Sequence, residues 1–272
     1  MMNNETSSVL AIGHRLHDFF RRIGLSAIAK KIAPRTHKKW GDYFAIKRHV
    51  EAGGAELIDE DELRREQKRS VEYLLNALGK KTIGEYLEFG VYYGSSLACM
   101  YDTLVSLGIT QTRLFGFDSF EGLPHSEFKG DQHWDEGDFC SSEHFAKKYL
   151  MRRGIEWNRV VLEKGWFCDT LTEEFLQIHG IEKASLIMID CDMYLSAKQA
   201  LMFCGSLIKD ETIIFFDDWN AGKLAERNEG EKRAFDEFLK EHPQLDAAEF
   251  GAYSYQGRNH AKIFRVWVKS HS

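Results

Sequence analysis

The chain has 272 residues, of which 43% are hydrophobic and 29% charged, and it carries a net charge of −6. That length holds one large α/β domain with an extension but falls short of two full domains, and the acidic balance argues against nucleic acid as the main partner, since phosphate binding needs a basic surface. Five scattered cysteines without a CxxC pair (Cys99, Cys140, Cys168, Cys191, Cys204) speak against a disulfide framework or zinc site and for a cytoplasmic protein; no stretch nears the roughly 18 apolar residues of a membrane span, and the polar N-terminus lacks signal-peptide order.

Residues 1–80 read as a helical extension over the core rather than an independent domain. From Val9 to Ile32 apolar side chains recur near helical spacing (Leu16, Phe19, Phe20, Ile23) among basic ones, until Pro34 ends the run. The basic stretch Arg15–Lys39 has three readings: a lid or dimer arm, a surface for an anionic partner or membrane, or a partly disordered segment. The lid is preferred, because group transfer gains from excluding water. The charged segment Asp59–Leu78 predicts a further helix.

Residues 81–272 form the main domain. Short apolar runs at Glu85–Phe89, Arg113–Phe117, Arg159–Leu162, Ser185–Ile189 and Thr212–Phe216 are apolar at nearly every position, the pattern of strands buried on both faces. Helices are predicted between them at Ser95–Leu107, Glu143–Arg152, Leu171–His179 and Ser196–Leu207. Five such alternations imply an α/β fold with a doubly wound, mostly parallel sheet. A helix over Glu231–Glu241 follows. The runs Ala248–Tyr255 and Lys262–Val268, joined by the turn-like Gln256–Asn259, predict a C-terminal antiparallel hairpin, a departure from the dinucleotide-dehydrogenase pattern.

Ligands of open α/β sheets bind at the carboxyl ends of the strands. The first strand ends in Glu88-Phe-Gly-Val-Tyr-Tyr-Gly-Ser-Ser96, where Gly90 and Gly94 allow a sharp turn and close approach, and Ser95 or Ser96 can cap the next helix. The spacing is Gly-x-x-x-Gly, not the Gly-x-Gly-x-x-Gly that seats a pyrophosphate, which disfavours a nicotinamide-dependent oxidoreductase. The second strand ends at Asp118, a carboxylate able to accept both hydroxyls of a ribose. Together the two loops favour an adenosine ligand.

The fourth run ends in Asp190-Cys-Asp192 and the fifth in Asp217-Asp218. In a parallel sheet these carboxylates emerge side by side, and ionised together they repel unless a cation joins them. Mg²⁺, or another hard divalent ion with oxygen ligands, suits Asp190, Asp217 and Asp218. Such an ion lowers the pKa of a chelated substrate hydroxyl and prepares it as a nucleophile. Each aspartate taken alone can equally cap a helix or pair with a basic side chain.

The blocks Glu88-Phe-Gly-x-x-x-Gly-Ser-Ser, Asp118-Ser-Phe-Glu-Gly-Leu-Pro124, Gly165-Trp-Phe-x-Asp-Thr-Leu171, Asp190-x-Asp-x-Tyr-x-Ser196 and Phe216-Asp-Asp-Trp219 resemble the macrocin O-methyltransferase (TylF-type) family. The resemblance implies a seven-stranded Rossmann-like sheet and transfer of a methyl group from S-adenosylmethionine to a hydroxyl, on a sugar of a natural product or glycan. It implies Asp190, Asp217 and Asp218 as metal ligands. On the cofactor side it implies Glu88, Phe89 and Gly90 with Gly94, Ser95 and Ser96 around the methionine part. Asp118 and Ser119 then serve the ribose, Gly165, Trp166 and Phe167 the adenine, and Asp190 also faces the cofactor. Met193 stands where catechol-type relatives carry a catalytic lysine, which leaves Asp190 as the candidate base and Asp192 as the second.

The polar, aromatic segment Phe128–Phe139 suits a sugar, with His133, Trp134 and Trp219 as substrate candidates, although a loop without such a role is equally compatible. His179 and His260 read as ordinary histidines. A homo-oligomer, a dimer, is expected. A non-catalytic nucleoside-binding member of the fold is the remaining alternative.

Overall fold

Each buried apolar run is a strand followed by a helix that carries the chain back, so the first five pair in parallel. They are β1 (Glu85–Phe89), β2 (Leu114–Asp118), β3 (Val160–Lys164), β4 (Ala184–Ile189) and β5 (Glu211–Phe216). β6 (Leu245–Gly251) and β7 (Lys262–Val268) form the closing antiparallel hairpin, with a small ribbon of Ser254–Tyr255 against Arg258–Asn259 at its tip. The order across the seven-stranded sheet is β3-β2-β1-β4-β5-β7-β6. The computed structural model describes residues 59–79, 83–128, 131, 134–255 and 258–270, without the side chains of 255–259. The helix expected over Val9–Ile32 and the basic stretch to Lys39 lie outside the described residues.

The helices are α1 (Glu60–Ala77), α2 (Ser95–Ser106), α3 (Glu143–Arg152), α4 (Phe167–Thr170), α5 (Glu173–His179), α6 (Tyr194–Cys204) and α7 (Gly230–Glu241). Their starts follow local chemistry. The Asp59 carboxylate accepts the Asp61 and Glu62 N–H groups, and Ser142 and Thr172 cap α3 and α5 by accepting from Phe145 and Phe175. The helix expected over Leu171–His179 starts two residues later, at Glu173, because Thr172 is extended and caps it, and the separate turn of α4 precedes it.

Both faces of the sheet are covered. Leu63, Val71 and Leu74 of α1 and Leu97, Met100 and Leu104 of α2 pack on Tyr86, Leu114, Leu186 and Met188. On the other face Phe175, Leu201, Phe235 and Phe238 pack on Phe89, Phe117, Ile187 and Phe216. Alternate residues of β1 and β4 thus serve opposite layers, which is why these strands read as continuously apolar. The described part of the N-terminal extension, α1, is a layer of this core. Cys99, Cys140, Cys191 and Cys204 are buried, Cys168 is exposed, and none of the five forms a disulfide. No helix among the described residues is long and apolar enough to cross a membrane.

β1 and β4 are neighbours, paired from Tyr86↔Leu186 to Phe89↔Ile189. The chain leaves β1 toward β2 and β4 toward β5, so the order reverses between them and a crevice opens at their carboxyl ends.

Candidate active site

The turn after β1 is fixed by its neighbours. Gly90 has φ +93°, and a Cβ there would lie 1.7 Å from the Asp190 carbonyl oxygen. Only glycine tolerates both the left-handed backbone and that approach. The Asp190 N–H donates to the Phe89 carbonyl and the Asp217 N–H to that of Ile189, so the tips of β1, β4 and β5 remain zipped one residue past the strands.

Asp118 ties three segments together. One carboxylate oxygen accepts the Val91 and Tyr92 N–H groups at 2.8 and 2.7 Å, and the other accepts Phe120 N–H at 2.6 Å. Its carbonyl accepts Gly165 N–H at 3.0 Å, bringing in the Gly165–Phe167 segment. Three acceptor positions are thus occupied by backbone, leaving less of the carboxylate for a ribose than the sequence suggested. Ser119 Oγ bridges its own turn, accepting from Glu121 N and donating to Gly122 O.

Glu88 is fully buried. Tyr86 Oη and Ser96 Oγ donate to its carboxylate, the latter at 2.7 Å, and the Leu97 N–H at the start of α2 also points to it. Burial, reinforced by the charge of Asp118, still outweighs these donors and pushes its pKa up to about 8. Neither Ser95 nor Ser96 caps α2; Gly94 occupies the cap position, and the protein's own Glu88 takes the place of an anion there.

Two expected ligand contacts become core contacts. The Phe89 ring stacks on Phe117 at 5.2 Å and meets Phe167 edge-on at 5.8 Å. Trp219 is buried among Phe216, Phe235 and Phe264, so its face is not presented to a sugar. The reason is the same for both: each points to the face that α6 and α7 cover. Trp166, by contrast, stands exposed beside Gly165.

The four aspartates lie near one another at the ends of β4 and β5. Asp190 and Asp217 are half-buried, while Asp192 and Asp218 are buried. Burial raises the pKa of all four, and the charges of Asp217, Asp218 and Asp192 add to it at Asp190. Asp218 is raised to about 7, by burial and then by Asp217. Its Oδ2 is buried without a hydrogen-bond partner. Tyr253 Oη donates to Asp217 Oδ1 at 2.6 Å, orienting that carboxylate.

Sequence reasoning missed His260. One donor atom each from Asp217, Asp218 and His260 lies within 4.8 Å of the others, a spacing suited to one metal ion. Asp190 adjoins this group on the next strand without belonging to it. His260 Nδ1 donates to the Asp217 carbonyl at 2.8 Å, and its own carbonyl accepts Asn220 N–H. A signal did exist. The antiparallel register pairs Phe216 with Lys262, and two further steps bring Asp218 opposite His260.

Beside this site lie residues 122–128, 131 and 134–138 of the loop after β2, closed at its neck by Leu123 N–H to Asp138 O and Gly137 N–H to Leu123 O. Gly122 is required there, because a Cβ would meet Gly137 C at 2.6 Å. Asp131, buried in the loop, accepts the Tyr194 N–H at the start of α6 and the Ser126 hydroxyl, at 2.9 and 2.8 Å. Asp138 reaches far enough for its charge to act on Asp192. Trp134 is partly buried with its indole N–H unpartnered, and its ring meets Phe139, which meets Tyr92. His133 lies outside the described residues.

A family model described as macrocin-O-methyltransferase (TylF) matches residues 65–247. The 8-demethyl-8-(2,3-dimethoxy-alpha-L-rhamnosyl)-tetracenomycin-C 4'-O-methyltransferase of Streptomyces olivaceus is 28% identical over 145 residues, covering 50% of this chain and 53% of its own length. The chain thus spans about half the length of the curated relative it matches. Among solved structures, the O-methyltransferase NovP superposes with TM-score 0.58 at 18% identity, covering 76% of this chain and 79% of NovP. CalS11, a calicheamicin methyltransferase, superposes with TM-score 0.58 at 21% identity, covering 74% of this chain and 77% of CalS11. At such identities the structural likeness speaks to the fold alone.

Proposed function

Because the chain belongs to the macrocin-O-methyltransferase (TylF) family, we propose that it transfers the methyl group of S-adenosylmethionine to a hydroxyl of a sugar on a natural product or glycan. The observation that carries this is the juxtaposition at the β1–β4 crevice: the Gly90 turn touches Asp190, whose carboxylate faces Asp217 and Asp218. A donor site and an acidic acceptor site thereby share one edge. The relative's printed name, a sugar 4'-O-methyltransferase, supports a sugar as acceptor.

The donor set suits a divalent ion, Mg²⁺ or another hard cation. Asp217, Asp218 and His260 bring donor atoms within reach of one ion, Asp190 adjoins them as the third carboxylate to hold it, and the unpartnered Asp218 Oδ2 is open to it. When bound, such an ion lowers the pKa of the acceptor hydroxyl. Tyr253 holds Asp217 in position. Asp190, half-buried between donor turn and acid cluster, accepts the hydroxyl proton, with Asp192 second; the C–O bond forms as the C–S bond breaks, releasing S-adenosylhomocysteine. Glu88, Gly90 and Gly94 serve the methionine end, and Asp118, Ser119 and Gly165–Phe167 the nucleoside. The 122–138 loop, with Trp134, excludes water and contacts the acceptor.

Calorimetry with S-adenosylhomocysteine and with NADH, followed by labelled-methyl transfer to a panel of glycosides and sugar nucleotides, tests this. Binding of NADH alone sinks it. Asp217→Ala is expected to abolish transfer while S-adenosylhomocysteine still binds. Full activity in chelator removes the ion from the mechanism while leaving the methyl transfer.

A further inference from the structure

Helix α6 begins two residues after Asp192 and has no cap of its own. Met193 stands at its N-cap position without a side-chain hydrogen bond, and Asp192 before it holds φ +61°, an uncommon left-handed conformation for a residue with a side chain. The cap comes from elsewhere in the chain: Asp131, in the loop after β2, accepts the Tyr194 N–H at 2.9 Å. That part of the loop is knit by its own bonds, since the Asp131 N–H donates to Phe128 O and the Trp134 N–H to Asp131 O. Phe128 then lays its ring against Tyr194, with centroids 4.8 Å apart.

Helix α7 supplies the outer side of this contact. The Arg233 guanidinium lies over both rings, 5.0 Å from the Phe128 centroid and 4.4 Å from that of Tyr194. Glu237, one turn further on, accepts Arg233 Nε–H at 2.9 Å, and Tyr194 Oη and Lys198 Nζ at 2.7 Å each. Lys198, Tyr194 and Arg233 together hold its carboxyl down to about 2, so it is charged throughout any assay range. An ion pair confined to α6 and α7 needs only Lys198 and Glu237; Arg233 is the member that reaches across to the loop.

From this geometry we propose that Arg233 is a positioning residue for the acceptor: clamped by Glu237 over Phe128 and Tyr194, it fixes the loop after β2 to the start of α6, and thereby to the turn that carries Asp190 and Asp192. The assignment rests on the methyltransferase reading, in which the acceptor meets the loop and the acid cluster together, and adds to it a residue that acts through Phe128 and Tyr194. A lysine at this position keeps the charge but lacks the planar group that faces two rings.

The test combines hydrogen–deuterium exchange on the full chain, without substrates, and steady-state kinetics with whichever glycoside or sugar nucleotide of the panel accepts the labelled methyl group. Arg233→Ala is expected to speed exchange of the Asp131, Trp134 and Tyr194 amides at least tenfold more than that of the β4 amides. It is also expected to raise acceptor KM at least fivefold, with the KM of S-adenosylmethionine within twofold. Arg233→Lys is expected to fall between Arg233→Ala and wild type in both readouts. Lys198→Ala, which removes another ion pair of Glu237, is expected to leave both within twofold. Unchanged exchange in Arg233→Ala, or equal effects from Lys198→Ala, overturns the tether. Faster exchange with an unaltered acceptor KM overturns the positioning role alone. A chain that methylates nothing in the panel overturns that role together with the proposed activity, while exchange still judges the tether.

Discussion

Replacing Glu88 by glutamine keeps the shape of a buried side chain and removes its titration. Burial without a counter-charge lifts the folded-state pKa from 4.5 to about 8. The unfolded chain therefore releases this proton first, and between those values the folded state binds more protons. Stability from this group is present below the unfolded pKa and is lost as pH rises toward 8. At about 1.4 kcal/mol per pH unit, the loss approaches roughly 5 kcal/mol across the window as an upper bound. Glutamine has no such loss. The gap in stability between Glu88→Gln and wild type should widen in the variant's favour from pH 5 to pH 8, by up to about 10–20 °C in Tm for a domain of this size. Other buried acids, such as Asp218, appear in both proteins and largely cancel in the difference. Thermal or urea denaturation in chelator, without cofactor, measures it at four pH values. Parallel curves for the two proteins would refute the claim that Glu88 is sealed in the core without a cation.

Gly90→Ala forces a Cβ onto the Asp190 carbonyl and an alanine to φ +93°; a loss of about 3 kcal/mol or more and at least tenfold weaker S-adenosylhomocysteine binding are expected, by denaturation and calorimetry. Asp131→Ala removes the acceptor of the Tyr194 N–H; about 1 kcal/mol of stability should go, and acceptor KM should rise with nucleoside affinity unchanged. Trp219→Leu should destabilise by about 2–4 kcal/mol through lost packing against Phe216, Phe235 and Phe264, with acceptor KM unchanged. A raised KM with unaltered stability would restore Trp219 to the substrate side.

The five parallel strands were legible to within a residue or two because β1, β2, β4 and β5 are buried on both faces and are apolar at nearly every position, whereas the first hairpin strand, expected at Ala248–Tyr255, runs from Leu245 to Gly251. Helix boundaries were less legible. Thr172 looks like an ordinary helical residue until its hydroxyl is seen to accept Phe175 N–H and start α5. Ser95 and Ser96 looked like caps, but one donor serves Glu88, a contact made eight residues upstream on another element. Asp190, Asp217 and Asp218 stood out because strand ends in a parallel sheet share an edge. His260 and Tyr253 did not, each being a common residue type far from any motif.

The order of apolar runs and the residues that close them therefore settled, by themselves, a parallel sheet with acidic strand ends beside a glycine turn. Local rules suffice there, because strand burial and strand direction depend on nearby residues and on right-handed crossovers. What the tertiary structure alone decided is which side chains meet between elements. Inserting β7 beside β5 carries His260 to Asp218, and the covered face turns Phe89 and Trp219 into core. Those contacts join residues remote in the chain, and packing of the two layers, not any spacing in the sequence, sets them.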